Sequence, residues 1–192
     1  MKKTLPVLIV VLVILFGAYY FTSRNRNPQE AGGQLPAGTL DGEKYSLTVP
    51  EGWSSGAEKA GPLDGPFRDV IVLQSPDFVR DEGSEYGMAT SGAEIKIWFP
   101  IPDKPEISSL SEFSDPYARG DVLNTTVAGE PAITYVWAYE GPILLYTVFV
   151  HEKRLYIITL QAAEVEGLES VSKFDLYRAE YETVLGSFKF KT

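Results

Sequence analysis

The sequence predicts an α+β domain, a central antiparallel β-sheet sandwiched by helices, preceded by an N-terminal transmembrane helix. Three observations carry that prediction. Residues 132–163 form an almost uninterrupted apolar meander, residues 172–185 place apolar side chains at helical spacing, and residues 5–21 hold no charge. In the meander, Ile133, Tyr135, Trp137 and Tyr139 alternate with Thr134, Val136 and Ala138, the period of two that marks a strand. The next segment loses the polar phase: Leu144, Tyr146, Val148 and Val150 point one way and Ile143, Leu145, Thr147 and Phe149 the other. A strand apolar on both faces belongs in a sheet covered on both sides. After the charged turn 151–154, Leu155, Ile157 and Thr159 alternate with Tyr156, Ile158 and Leu160, which completes a three-strand sheet centre.

The address is set by the N-terminus. Lys2 and Lys3 precede the apolar run 5–21, which as a helix spans roughly 26 Å, slightly short of a hydrocarbon core of about 30 Å. Tyr19 and Tyr20 sit where an interfacial aromatic belt lies. The small residues that a signal peptidase site needs are poorly placed after the run, so residues 1–21 read as an uncleaved signal anchor. Residues 22–42, rich in Pro, Gly, Gln and Asn, read as a flexible tether, and residues 43–192 as the folded domain. The slight excess of positive charge before the span places the domain outside the cytoplasm, on a single-pass cell-membrane protein. The chain holds 17 basic and 26 acidic residues. Four of the basic ones lie at positions 1–26, so the remainder carries a net charge near −13 and should repel nucleic acid and anionic headgroups. The absence of cysteine removes disulfide, thiol and lipid-modified cysteine chemistry.

Along the domain, Tyr45, Leu47 and Val49 alternate in a first strand that Pro50 ends, and Glu51-Gly52-Trp53 turns an aromatic ring back to the core. An irregular connection through Gly61, Pro62, Gly65 and Pro66 leads to a strand over 69–75, and residues 76–92 read as a long polar loop. Residues 94–99 form a strand with Ile95, Ile97 and Phe99 inward. Pro100, Pro102 and Pro105 stiffen a connector to a short helix capped by Ser108 or Ser111, and 122–127 is a strand. In the last helix Phe174, Tyr177, Tyr181, Val184 and Leu185 make one stripe that Gly186 terminates, before a closing strand over 187–191.

No constellation calls for a cofactor or a catalytic or metal centre. Gly52-Trp53-Ser54-Ser55-Gly56 fits the nucleophile-elbow pattern, but that elbow needs a helix after the serine, and Gly61, Pro62, Gly65 and Pro66 deny one. The single histidine, His151, is the sole general base on offer and lies in a charged hairpin turn. With one His and no Cys, a conventional zinc site is not expected. Asp77, Asp81, Glu82 and Glu85 lack the ordered spacing of a calcium loop and read as a solvated acidic loop, a candidate partner-binding feature. Tyr135, Trp137, Tyr146 and Tyr156 are candidates for lining an apolar cavity, against the plainer reading of packing beneath helices.

Three short motifs carry a resemblance: the strand and turn at 45–53 (YSLTVPEGW), the turn at 127–132 (VAGEPA) and the C-terminal run 184–190 (VLGSFKF). With the order of elements between them, residues 41–191 resemble the PsbP-like domain of the Mog1/PsbP fold family. The resemblance implies an antiparallel sheet between helices and a binding module, since relatives include photosystem II extrinsic subunits, a nuclear-transport GTPase partner, envelope lipoproteins and secretion chaperones. The chain departs from the photosynthetic members in its uncleaved anchor and single His. The expectation is a membrane-tethered, extracytoplasmic, non-catalytic adaptor that binds an envelope protein through the sheet edge or the acidic loop. A carrier of a lipid or small apolar ligand is the alternative, and a serine hydrolase using Ser54 a third.

Overall fold

The computed structural model describes residues 38–60, 67–81, 83, 87–101, 106–138, 143–165, 167 and 172–191. The anchor and most of the tether lie outside the described residues, among which no helix is long and apolar enough to cross a membrane.

Seven antiparallel strands form the main sheet. In chain order they are β3 (Ser54–Lys59), β4 (Phe67–Gln74), β7 (Ala93–Pro100), β8 (Ala118–Val127), β9 (Glu130–Ala138), β10 (Ile143–His151) and β11 (Arg154–Ala162). They lie side by side as β3-β4-β7-β11-β10-β9-β8. The predicted meander is the run β9, β10 and β11, in register at Tyr146↔Tyr135 and Val148↔Ile157. Its tight return at Glu152 and Lys153 has both residues at positive φ (47° and 58°), the sign pattern that lets a two-residue turn follow the twist of the flanking strands.

The two faces are covered unequally. On the first, Ile95, Ile97, Leu145, Phe149, Ile158 and Leu160 pack beneath helix α1 (Arg178–Ser187) and a small sheet made by β1 (Gly38–Asp41), β2 (Tyr45–Val49) and β12 (Lys189–Phe190). On the second, Tyr135, Val148, Leu155 and Ile157 lie beneath the segment 106–117, whose Ile107, Leu110 and Phe113 face them. Only a 3₁₀ turn, Leu110–Glu112, interrupts that strap. Its ends are fastened by the Ile107 N–H to the Lys153 carbonyl (3.0 Å) and the Ala138 N–H to the Tyr117 carbonyl (3.1 Å).

Several expectations are corrected here. Among the described residues the sheet dominates and helices do not sandwich it: one face carries a single short α-helix with a second sheet, the other a strap. Strand β1 falls inside the stretch read as tether, so the folded part begins by Gly38; Gly38 pairs Val49 and Leu40 pairs Leu47. Residues 54–59, to which the sequence pattern assigns no element, are strand β3 because they pair Gln74 to Asp69 along β4. The polar loop 76–92 contains a two-strand hairpin, β5 (Val79–Arg80) and β6 (Ala89–Ser91). Neither Ser108 nor Ser111 caps the 3₁₀ turn; Ser109 holds the cap position without a side-chain bond. The last helix starts as a 3₁₀ turn over Ser172–Tyr177, becomes α-helical at Arg178 and includes Gly186.

A chain of hydroxyls fixes α1 on the sheet centre. Tyr181, Thr147 and Thr134 are buried, with Thr134 Oγ1 to Thr147 Oγ1 at 2.7 Å and Tyr181 Oη 2.8 Å from both Thr147 Oγ1 and the Ile158 carbonyl. Tyr181 has one proton and a carbonyl only accepts, so Tyr181 donates to Ile158, accepts from Thr147, and Thr147 accepts from Thr134. Every donor in the chain is then used. Burial raises the Tyr181 pKa despite the bonds from Thr147. Tyr181→Phe leaves the buried Thr147 hydroxyl without its acceptor and removes the Ile158 carbonyl's second donor, and is expected to lower unfolding free energy by about 1–3 kcal/mol. Urea melts of the domain read it directly; an unchanged midpoint would show that the hydroxyl chain contributes nothing.

Candidate functional site

The outermost strand, β8, is where the sheet meets solvent. Val122, Thr125, Thr126 and Val127 are β-branched, which suits the strand, and the two-residue turn Ala128-Gly129 (φ 54° and 83°) folds it onto β9 with Val127 opposite Glu130. Only Val127 is buried. The pairing is broken by a bulge: Arg119 faces Val136 and Leu123 faces Thr134, so four steps on β8 match two on β9. Gly120, at φ 69°, supplies a backbone conformation that side-chain-bearing residues rarely adopt.

Side chains around the bulge are distributed unequally. The Arg119 guanidinium turns back on its own segment, donating from one nitrogen to the Pro116 and Ala118 carbonyls, both at 2.9 Å. Asp121 is exposed and has no ion pair or hydrogen bond among the described residues. Val122 is 52% and Leu123 57% exposed, and Tyr117, just before the strand, is 37% exposed. Among the described residues, Val122 and Leu123 are thus two adjacent exposed apolar side chains on this edge, with Tyr117 just before it, while Val79, Val165 and Leu176 are exposed elsewhere. The opposite edge, β3, differs: Glu58 and Lys59 occupy it, and Lys59 pairs Asp69 at 2.6 Å. Charges of that kind blunt an edge against further pairing, and β8 lacks them from Val122 to Val127.

The acidic loop is already partly occupied. Asp77 accepts the Ser75 hydroxyl at 2.7 Å and lies against the Tyr177 phenol, whose pKa is raised first by burial and then by that carboxylate. Asp81 accepts the Gly83 N–H at 2.8 Å. These bonds shape turns and leave each carboxylate less free to meet a partner. Glu82 and Glu85 lie outside the described residues. Sequence reading missed a neighbouring feature, the Glu94 carboxylate, 2% exposed, which accepts from Arg80 (2.5 Å) and Gln74 (2.8 Å) and lies 3.2 Å from Lys96. Through Arg80 it ties the β5–β6 hairpin to the sheet. A charged residue opening an apolar strand, with Lys two positions on, was the available signal. Among the described residues no cluster of three metal-ligating side chains occurs.

Of the four aromatic cavity candidates, three come together on the second face. Trp137 stacks on Tyr146 at 5.4 Å, Tyr146 lies 5.9 Å from Tyr135, and Tyr117 meets Trp137 edge-on at 5.8 Å. Tyr156 is on the opposite face, against Phe149 and Phe190. Strand parity forbids the four from sharing one cavity: Tyr156 pairs Phe149, whose side chain points into the first core. The Tyr135 phenol donates to Asp115 at 2.7 Å, a residue whose role sequence reading missed because it sits in the strap.

Ser54 opens a strand with a strand partner, so the helix that a nucleophile elbow requires does not follow it. Its register runs through Gln74 and Glu94 to Gln161. His151 pairs Arg154 at the far end of β11, one strand further on, so about 19 Å across the sheet and about 23 Å along it separate the two. His151 instead meets Glu130 at 2.9 Å through Nδ1 and stacks on Phe190.

What the fold and this surface define, among the described residues, is a β-dominated α+β domain whose main sheet ends in a charged edge at β3 and a largely uncharged one at β8. No family model matches the chain, and no curated protein matches it. It is similar in fold to the solution structure of cyanobacterial PsbP from Synechocystis sp. PCC 6803, with 14% identity, a TM-score of 0.45, and coverage of 85% of this chain and 99% of that one.

Burial, then the Asp115 bond and charge, raise the Tyr135 pKa well above the phenol range. A tyrosine whose folded pKa exceeds its unfolded value contributes stability that is complete below the unfolded pKa, about 10, and declines as pH rises beyond it. Tyr135→Phe is therefore expected to flatten the loss of stability above about pH 10, measured by denaturant melts between pH 8 and 11.5. An alkaline limb as steep as that of the unaltered protein would remove the Tyr135–Asp115 pair as its source.

Proposed function

We propose that this chain is a membrane-tethered, extracytoplasmic accessory module without catalytic activity, which binds a protein partner by accepting an added strand along β8. The observation that carries this reading is the outer edge of β8, unpaired among the described residues and bearing the exposed Val122 and Leu123. Such an edge offers a row of backbone donors and acceptors, and strand addition uses them for affinity while side chains on the two faces set specificity. The uncharged run 5–21 supports the membrane tether, and the N-terminal lysines support the extracytoplasmic side.

The alternative carrier needs four aromatic residues around one cavity. Tyr156 faces the other way, and Tyr135, Tyr146 and Trp137 pack on one another. The edge therefore has the stronger claim. Full-length chain, solubilised gently from its own membranes, is expected to bring down a partner. The double variant Val122→Lys/Leu123→Lys should lose that partner. Exposed substitutions of this kind change stability by no more than about 0.5 kcal/mol, so an unchanged melting temperature keeps the result interpretable. Undiminished co-purification by the double variant would contradict the edge reading.

A further inference from the structure

The bulge in β8 divides the edge into two parts with different chemistry, and that division points to a kind of partner. From Leu123 to Val127 the strand is in continuous register with β9, so its other side is extended and suited to backbone pairing. At the bulge, Asp121 stands exposed with no ion pair among the described residues, and Arg119, the one basic side chain of the strand, is turned back onto the Pro116 and Ala118 carbonyls. The edge therefore presents one unneutralised carboxylate beside two apolar side chains. The surrounding field has the same sign, since 26 acidic residues face 13 basic ones beyond Arg26.

Taking these together, we infer that the partner of β8 is an extended, basic segment of a different protein, which pairs along Leu123–Val127 and places a Lys or Arg against Asp121. The inference rests on the edge reading above and deepens it. A second copy of this chain is the disfavoured occupant, because it brings the same surplus of acid to the contact and its own Arg119 is engaged. An acidic or uncharged strand would leave Asp121 unpaired at the rim of the interface, and like charges brought together there oppose association.

Site-specific photo-crosslinking tests this in the full-length, membrane-embedded protein. A photoreactive residue replaces Leu123 in one variant and Thr126 in another, and the crosslinked peptides are sequenced by mass spectrometry. The expected adduct joins both positions to one extended segment carrying a Lys or Arg. Asp121→Lys should then lower adduct yield about fivefold, the effect of one rim ion pair. Asp175→Lys, distant in the chain, should leave the yield unchanged. An adduct on a segment without a basic residue, an adduct to a second copy, or a yield indifferent to Asp121→Lys overturns the basic-partner inference and leaves the edge reading standing. No adduct at either position overturns both.

Discussion

Most of this domain follows from one constraint: the central strands β10 and β11 carry apolar side chains on both faces and must be hidden on both. Burial of Ile95, Ile97, Leu145, Phe149 and Ile158 on one side and of Val148 and Ile157 on the other supplies the main driving force for folding. The two covers are of different kinds. One is a helix and a small sheet, positioned by the Tyr181 hydroxyl reaching through the core to Thr147 and the Ile158 carbonyl. The other is a strap whose hold depends on backbone bonds at its two ends and on the Tyr135–Asp115 pair.

Both covers sit over the sheet centre, and the edges are left to their own residues. At β3 the chain places Glu58 and Lys59. At β8 it places Val122, Leu123, Asn124, Thr125 and Thr126, with only the Val127 end reaching the core. An edge of that length and composition is an aggregation hazard for a soluble protein unless something covers it or bends it. The bulge at Gly120 bends one end and leaves the other straight. A partner strand is the cover we propose for the straight end, in a domain whose acidity already discriminates between partners by charge.

How much of this was readable beforehand depended on whether a residue's role was local. Alternation within each strand grouped Ile95 with Ile97, Leu145 with Phe149, and Tyr146 with Val148, because strand parity depends on neighbours one and two positions away. That same parity separates Tyr156 from Tyr135, Trp137 and Tyr146, and applying it across the β10–β11 hairpin would have broken up the cavity group in advance. Strand β3 was missed because Ser54, Ser55 and Gly56 have low strand propensity, and pairing with Leu73 and Val72 overrides it. The helical sandwich was an overreach of a sound premise. Two apolar faces require two covers, but composition does not say that a cover must be a helix. The β5–β6 hairpin pairs Val79 with Ser91 and Arg80 with Ala89, and the Arg80–Glu94, Gln74–Glu94 and Tyr135–Asp115 bonds join residues 14 to 20 positions apart, beyond any local pattern.

The central claim is that β8 is the docking edge, and amide hydrogen exchange measures it most directly. The full-length chain would be compared in its own membranes and after purification away from other proteins. The account predicts that the amides of Leu123–Val127 that point away from β9 exchange quickly in the purified protein and slowly in the membranes, while those of β3 exchange alike in both. Equal exchange at β8 in the two states, or protection confined to β3, would contradict it.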